Sequence, residues 1–323
     1  MAESADGWIV EEGIGETRAA LLEDGHIVEA LIELEDVVPA GTRLAARLLK
    51  VGEQGRNAVA RDEGGQEYLM PVAPRGVSEG AALTIEVTRS AFPGSEPWKR
   101  PLARVTDYAP LEAPSLAERL GGRQLQFPAP HDALEKVGWS DLLDEARTGT
   151  VGFASGSLRI SPTPAMTLID VDGGLPPEAL ALRGATAAAR AIRRLAIGGS
   201  IGIDLPSVKG KVARLAQDAA IDTELPRPFE RTGVNGFGFV QIVRARRGPS
   251  LVELAQDRAG FEARALLRQA ARSTGAIRLV AHPSVIAAIA ADWTGRLARQ
   301  VGGTVDLRAD AGLAMAGGHA SQA

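Results

Sequence analysis

Two apolar runs that each end in an acid, joined by an alanine-rich stretch, constrain this chain more than any other feature. The first, Thr-Leu-Ile-Asp-Val-Asp-Gly-Gly at residues 167–174, sets Asp170 and Asp172 two positions apart. Side chains alternate along a strand, so both carboxylates share one face, about 7 Å apart along the backbone. The second run, Gly-Gly-Ser-Ile-Gly-Ile-Asp at 198–204, ends in Asp204. Between them, residues 177–195 are dominated by good helix formers and carry Arg183, Arg190, Arg193 and Arg194. Strand, helix and strand in that order bring three carboxylates to one end of a sheet. An oxygen-rich cluster of this kind suits a hard divalent cation such as Mg²⁺.

The formal net charge of −4 conceals a polarised distribution. Residues 1–40 contain eleven acids and one base, whereas residues 181–250 contain twelve bases and five acids, a net of +7. A basic segment around an acidic trio is what a metal site acting on a polyanion needs, with cations on phosphates and carboxylates on the metal. The plainer alternative is a solvated helix face with scattered surface charge.

At 323 residues the chain is long enough for about two domains of ~150 residues. Cysteine is absent, which excludes disulfides and thiolate zinc sites and fits a reducing compartment. No apolar run reaches the ~18 residues of a membrane span, and the polar, acidic opening is unlike a signal peptide. A soluble, cytoplasmic protein is expected.

In chain order, residues 17–22 and 26–34 alternate around Glu23-Asp24-Gly25 and predict a hairpin. Four short strand-like runs at 43–51, 57–61, 67–72 and 82–89 predict a small β-barrel of the OB type. Its aromatics are few: Tyr68 inside, Phe92 and Trp98 beyond. Residues 92–140 read as a Pro- and Gly-rich connection with a helical patch at 115–120. A helix at 139–145 with Ser140 as cap and a hairpin over 149–160 lead into the acidic strand. Further expectations are a helix at 209–220, a strand at 237–246 with Arg244 and Arg246 on one face, and an α/β module beyond 251. That module comprises helices at 261–273 and 284–300, strands at 277–281 and 304–308, and a frayed tail from Ala311.

Other chemistries find no support. There is no phosphate-binding G-x-x-x-x-G-K-S/T loop and no G-x-S-x-G elbow. The four histidines, His26, His131, His282 and His319, are far apart, and His282 reads as a turn residue.

Three strings together resemble the catalytic DNase I-like subdomain of the RNase E/G endoribonucleases. They are residues 167–173, residues 198–204, and residues 237–251 with their Phe237-Gly238, Arg244-Ala245-Arg246 and Pro249-Ser250-Leu251 landmarks. More loosely, Gly15-Glu16-Thr17-Arg18 and its hairpin are similar to the family's opening strands, the barrel to its OB-type RNA-binding insertion, and the last 70 residues or so to its small C-terminal domain. The resemblance implies an α/β (α+β multidomain) protein with an RNase H-like/DNase I-like core. Its parts would be 1–38 with 99–148 as RNase H-like and connecting region, 39–98 as barrel, 149–251 as catalytic subdomain and 252–323 as C-terminal α/β domain. It implies hydrolysis of single-stranded RNA to leave 5′-phosphate ends. Asp170 and Asp204 would hold Mg²⁺, with Mn²⁺ as a substitute, and Asp172 would orient the attacking water. Lys209, Lys211, Arg214, Phe237, Arg244 and Arg246 would contact RNA.

The departures are specific. Asp172 stands where the family commonly has Asn, and Gln241 where Glu is usual. The Cys-x-x-Cys zinc link after Leu251 is missing, so neither zinc nor a zinc-linked dimer is expected, and the segment that senses an RNA 5′ end is mostly absent. The competing expectation is a catalytically silent RNA-binding or regulatory protein on the same fold.

Overall fold

A computed structural model describes residues 6–92 and 100–323. Trp98 lies outside the described residues. The chain opens with three antiparallel strands, β1 (Gly7–Glu12), β2 (Glu16–Glu23) and β3 (His26–Leu34). The expected turn between β2 and β3 is present, with Asp24 at φ +50° and Gly25 at +74°, the paired left-handed geometry of a tight hairpin.

A closed five-stranded barrel follows, built from β4 (Arg43–Val51), β5 (Ala58–Asp62), β6 (Glu67–Met70), β7 (Ala82–Arg89) and β8 (Leu102–Val105), in the order β4-β5-β6-β8-β7. The closing strand β8 falls in the stretch the sequence reads as a connection. Tyr68 is the barrel's one buried aromatic, and its hydroxyl donates to Asp62 at 2.9 Å. Burial and that carboxylate push the Tyr68 phenol well above its ordinary value. After α1 (Leu116–Leu120), closed by a Ser115–Glu118 capping box, β9 (Arg123–Leu125) adds to β1 in parallel.

Helix α2 (Trp139–Thr148) is not capped by Ser140. Gly138 occupies the cap at φ +89°, and the Ser140 hydroxyl donates to Glu135 at 2.9 Å. The principal sheet has six strands: β10 (Thr150–Phe153), β11 (Gly156–Pro162), β12 (Thr167–Gly173), β13 (Gly199–Asp204), β14 (Phe229–Arg231) and β15 (Phe239–Arg244), ordered β10-β11-β12-β13-β15-β14. The crossover between the acidic strands is α3 (Pro177–Arg194), and α4 (Lys211–Glu224) leaves the end of β13.

One face of this sheet is the protein's main core, shared with α2, α3, β3 and the short α5 (Leu251–Leu254). Small residues let α3 approach closely. A Cβ on Gly184 would sit 2.4 Å from Val171 Cγ1, a contact no real methyl tolerates. Val171 lies between Asp170 and Asp172, so the helix fixes the acidic strand from beneath.

The C-terminal module consists of α6 (Arg258–Ala270), β16 (Ile277–Ala281), α7 (Pro283–Ala287), α8 (Ala291–Val301), β17 (Val305–Ala309) and β18 (His319–Gln322). Two expectations fail here. The helix expected over 284–300 is two helices, broken at Ala288–Ala290, and the tail expected to fray returns as β18, antiparallel to β16. His282 caps α7, its Nδ1 accepting from the Ser284 amide at 3.2 Å. Trp293 of α8 packs over Gly15, where a Cβ would meet the indole at 2.7 Å, and so joins the module to the β1–β2 turn. Among the described residues no helix is long and apolar enough to cross a membrane.

Candidate functional site

Pairing register brings Asp170 and Asp204 side by side. In the parallel β12–β13 pair Asp170 stands opposite Asp204. Strand spacing therefore sets the two residues about 4.8 Å apart at the backbone, with Asp172 about 7 Å further along the same face. On one side β11 places Arg159 opposite Asp170 and Ser157 opposite Asp172; on the other, β15 places Phe239 opposite Asp204. One row across the open face thus reads Arg159, Asp170, Asp204, Phe239. All three aspartates are exposed, and none of their side chains has a hydrogen bond or ion pair among the described residues.

The next row is Leu168, Gly202 and Gln241. The Phe239 ring leans over Gly202, where a Cβ would meet it at 2.6 Å, and Leu168 approaches from the other side. An apolar floor thus adjoins the acids. Gln241 Nε2 donates to Ser200 Oγ at 3.1 Å, which ties the amide down within the sheet.

Beyond Asp204 the chain runs to Lys209 and then into α4 with Lys211 and Arg214. These three have no carboxylate partner among the described residues. Phe237, 83 % exposed, stands on a turn held against this segment. Asn235 Oδ1 accepts from the Phe237 and Phe239 amides at 2.8 and 3.1 Å, and the Ser207 hydroxyl donates to the Phe237 carbonyl at 2.8 Å. Gly238, at φ +90°, leaves only 2.0 Å between a would-be Cβ and the Leu205 carbonyl, so no other residue fits.

Arg244 and Arg246 are not part of this site. Arg244 pairs with Gly199, five positions before Asp204, which places it about 17 Å away along the strand and on the opposite face. Its Nη2 lies 3.9 Å from Glu29, and burial pushes its guanidinium below the ordinary value against the opposing pull of that carboxylate. The Arg246 guanidinium lies 4.1 Å over the Phe92 ring and pairs with Glu253. Most of the basic segment is similarly neutralised: Arg190 by Glu224, Arg193 by Glu23, Arg194 by Glu145, and Arg227 and Arg231 by Asp222.

No protein-family model matches this chain, and no curated protein matches it.

Among the described residues no group of three or more His, Asp or Glu side chains is placed to hold a metal ion together. The in-register Asp170–Asp204 pair fits a different requirement. Mg²⁺ takes one or two carboxylates and keeps several waters, which two exposed, unpartnered acids on an open face allow.

Arg159, not among the expected site residues, reaches the acids' row through the alternation of β11, in which Leu158 and Ile160 face the core and Ser157, Arg159 and Ser161 share the acids' side.

Proposed function

We propose that this protein is a Mg²⁺-dependent endoribonuclease of the RNase E/G type that hydrolyses single-stranded RNA. The observation that carries the reading is the in-register pair Asp170–Asp204, exposed on the open face and unpartnered among the described residues. The family's RNase H-like and OB-type parts belong to the same proposal.

In this mechanism Lys209, Lys211 and Arg214 hold the phosphate backbone, and Phe237 stacks an unpaired base, a contact available only to a strand that is not in a duplex. Asp170 and Asp204 would hold the cation. When bound, Mg²⁺ supplies charge neutralisation at the scissile phosphate and a lowered pKa for water. Asp172 accepts a hydrogen bond from the attacking water and orients it toward phosphorus. The water oxygen bonds to phosphorus as the bond from phosphorus to O3′ breaks; a water proton passes to solvent and O3′ takes one from it, leaving a 5′-phosphate on one product and a 3′-hydroxyl on the other.

A fluorogenic single-stranded RNA incubated with Mg²⁺ and then with EDTA tests this. Cleavage that stops with EDTA and is lost in Asp170→Asn is expected; cleavage indifferent to both would overturn the proposal. The tethered Gln241 amide favours a second reading, an RNA-binding protein without turnover. Tight retention of RNA on a filter with no products under any divalent metal would support that reading instead.

A further inference from the structure

Arginine and acid standing directly opposite one another on neighbouring strands normally close an ion pair, and this protein follows the rule in four places. Arg18 meets Glu11 at 2.7 Å, Arg61 meets Glu67 at 2.6 Å, Arg104 meets Glu86 at 2.9 Å and Arg278 meets Asp306 at 2.7 Å. Arg43 also faces Glu86, which Arg104 has taken, and it lies 5.3 Å over the Tyr108 ring instead. Arg159 is different. Asp170 stands directly opposite it and Asp172 lies on the diagonal, within reach of a long side chain, yet among the described residues Arg159 pairs with neither. Both acids are left without any other partner as well.

We infer that Arg159 is the phosphate-binding arginine of the acidic face, holding a phosphodiester while Asp170 keeps its oxygens for the cation; this rests on the endoribonuclease reading of that face. The planar guanidinium fork matches two phosphate oxygens at once, which a lysine cannot do. Charge balance supports the assignment. Three carboxylates and one Mg²⁺ sum to −1, which repels a phosphate; Arg159 brings the face to zero. It thereby offsets the carboxylate of Asp172, which adds a negative charge where an asparagine would add none. Its place in the row, beside Asp170 and across it from Asp204, sets phosphate and cation next to each other.

Arg159→Ala and Arg159→Lys test the inference, because the side chain is exposed and its removal leaves no cavity. Two measurements are made without turnover: Mn²⁺ titration in the absence of RNA, and the salt dependence of binding of a short single-stranded oligoribonucleotide. Arg159→Ala is expected to bind Mn²⁺ several-fold more tightly, since a cation beside the carboxylates is gone. It should also lose about one unit from the slope of log affinity against log salt. Arg159→Lys should recover the slope but not the cleavage rate. An unchanged slope, or weaker Mn²⁺ binding in Arg159→Ala, would overturn the assignment, the latter because it would make Arg159 a support for Asp170. Wild-type protein that binds neither Mn²⁺ nor RNA would instead remove the endoribonuclease reading itself.

Discussion

Glu11, Glu16 and Asp132 lie in a buried network; Asp170, Asp172 and Asp204 lie on an open sheet. Each carboxylate of the first trio is met by a guanidinium. Arg18 donates from Nε and Nη2 to Glu11 and from Nη2 to Asp132 at 2.7 Å, Arg268 reaches Glu16 at 2.5 Å, and Arg272 reaches Asp132 at 3.0 Å. Arg18 also lies 5.2 Å over the Trp139 ring. These contacts join β1 and β2 to α6 and the segment before α2. Among the described residues no cation pairs with any carboxylate of the second trio. The contrast separates two uses of charge. Buried acids must be paired because burial makes an unpaired charge costly, whereas water screens the exposed acids and leaves them available to a ligand.

The largest effect should come from breaking the buried network. Arg18→Ala leaves Glu11 without its principal partner and should destabilise the protein by about 3–5 kcal/mol in chemical denaturation. A loss below ~1 kcal/mol, the scale of an exposed pair, would erase the distinction between the two trios.

A smaller effect concerns pH. Burial raises the Asp132 pKa, but Arg18 and Arg272, with the Glu135 amide, outweigh it, so the folded value lies below the ordinary carboxylate value. A depressed folded pKa contributes stability that is fully present above the unfolded value of about 3.9 and is lost as pH falls through the folded one. Unfolding free energy measured from pH 6 downward should therefore decline below about pH 4, and Asp132→Asn should decline less steeply over that range.

The smallest effect is expected on the open face. Without divalent metal, Asp204→Asn removes like-charge repulsion from directly opposed acids and should leave stability unchanged or raised by about 0.2–1 kcal/mol. A loss of several kcal/mol would mean that Asp204 has a structural partner after all. Replacing Arg244 by Ala should, in contrast, lower stability while leaving RNA affinity unchanged, a separation that follows from its place about 17 Å from the acids.

The acidic face was largely legible in the sequence because local rules govern it. Two apolar runs ending in aspartate and an alanine-rich helix between them fix a parallel pair, and strand alternation puts Asp170 and Asp172 together. What escaped was set by tertiary partners. The position of Arg244 depends on which residue of β13 it pairs with, a register that the β15 sequence alone does not encode. Leu102–Val105 carries no strand signal strong enough to stand out from its Pro- and Gly-rich surroundings; it becomes a strand by closing the barrel between β6 and β7. The last residues form β18 only because β16 offers a free edge.

Everything proposed for the acidic face depends on a cation resting between two particular carboxylates. Crystals soaked in Mn²⁺ test this directly by anomalous scattering. The account predicts a peak shared by the Asp170 and Asp204 carboxylates that disappears in Asp204→Asn. A soaked wild-type crystal with no peak there, or one unaffected by that substitution, would contradict it.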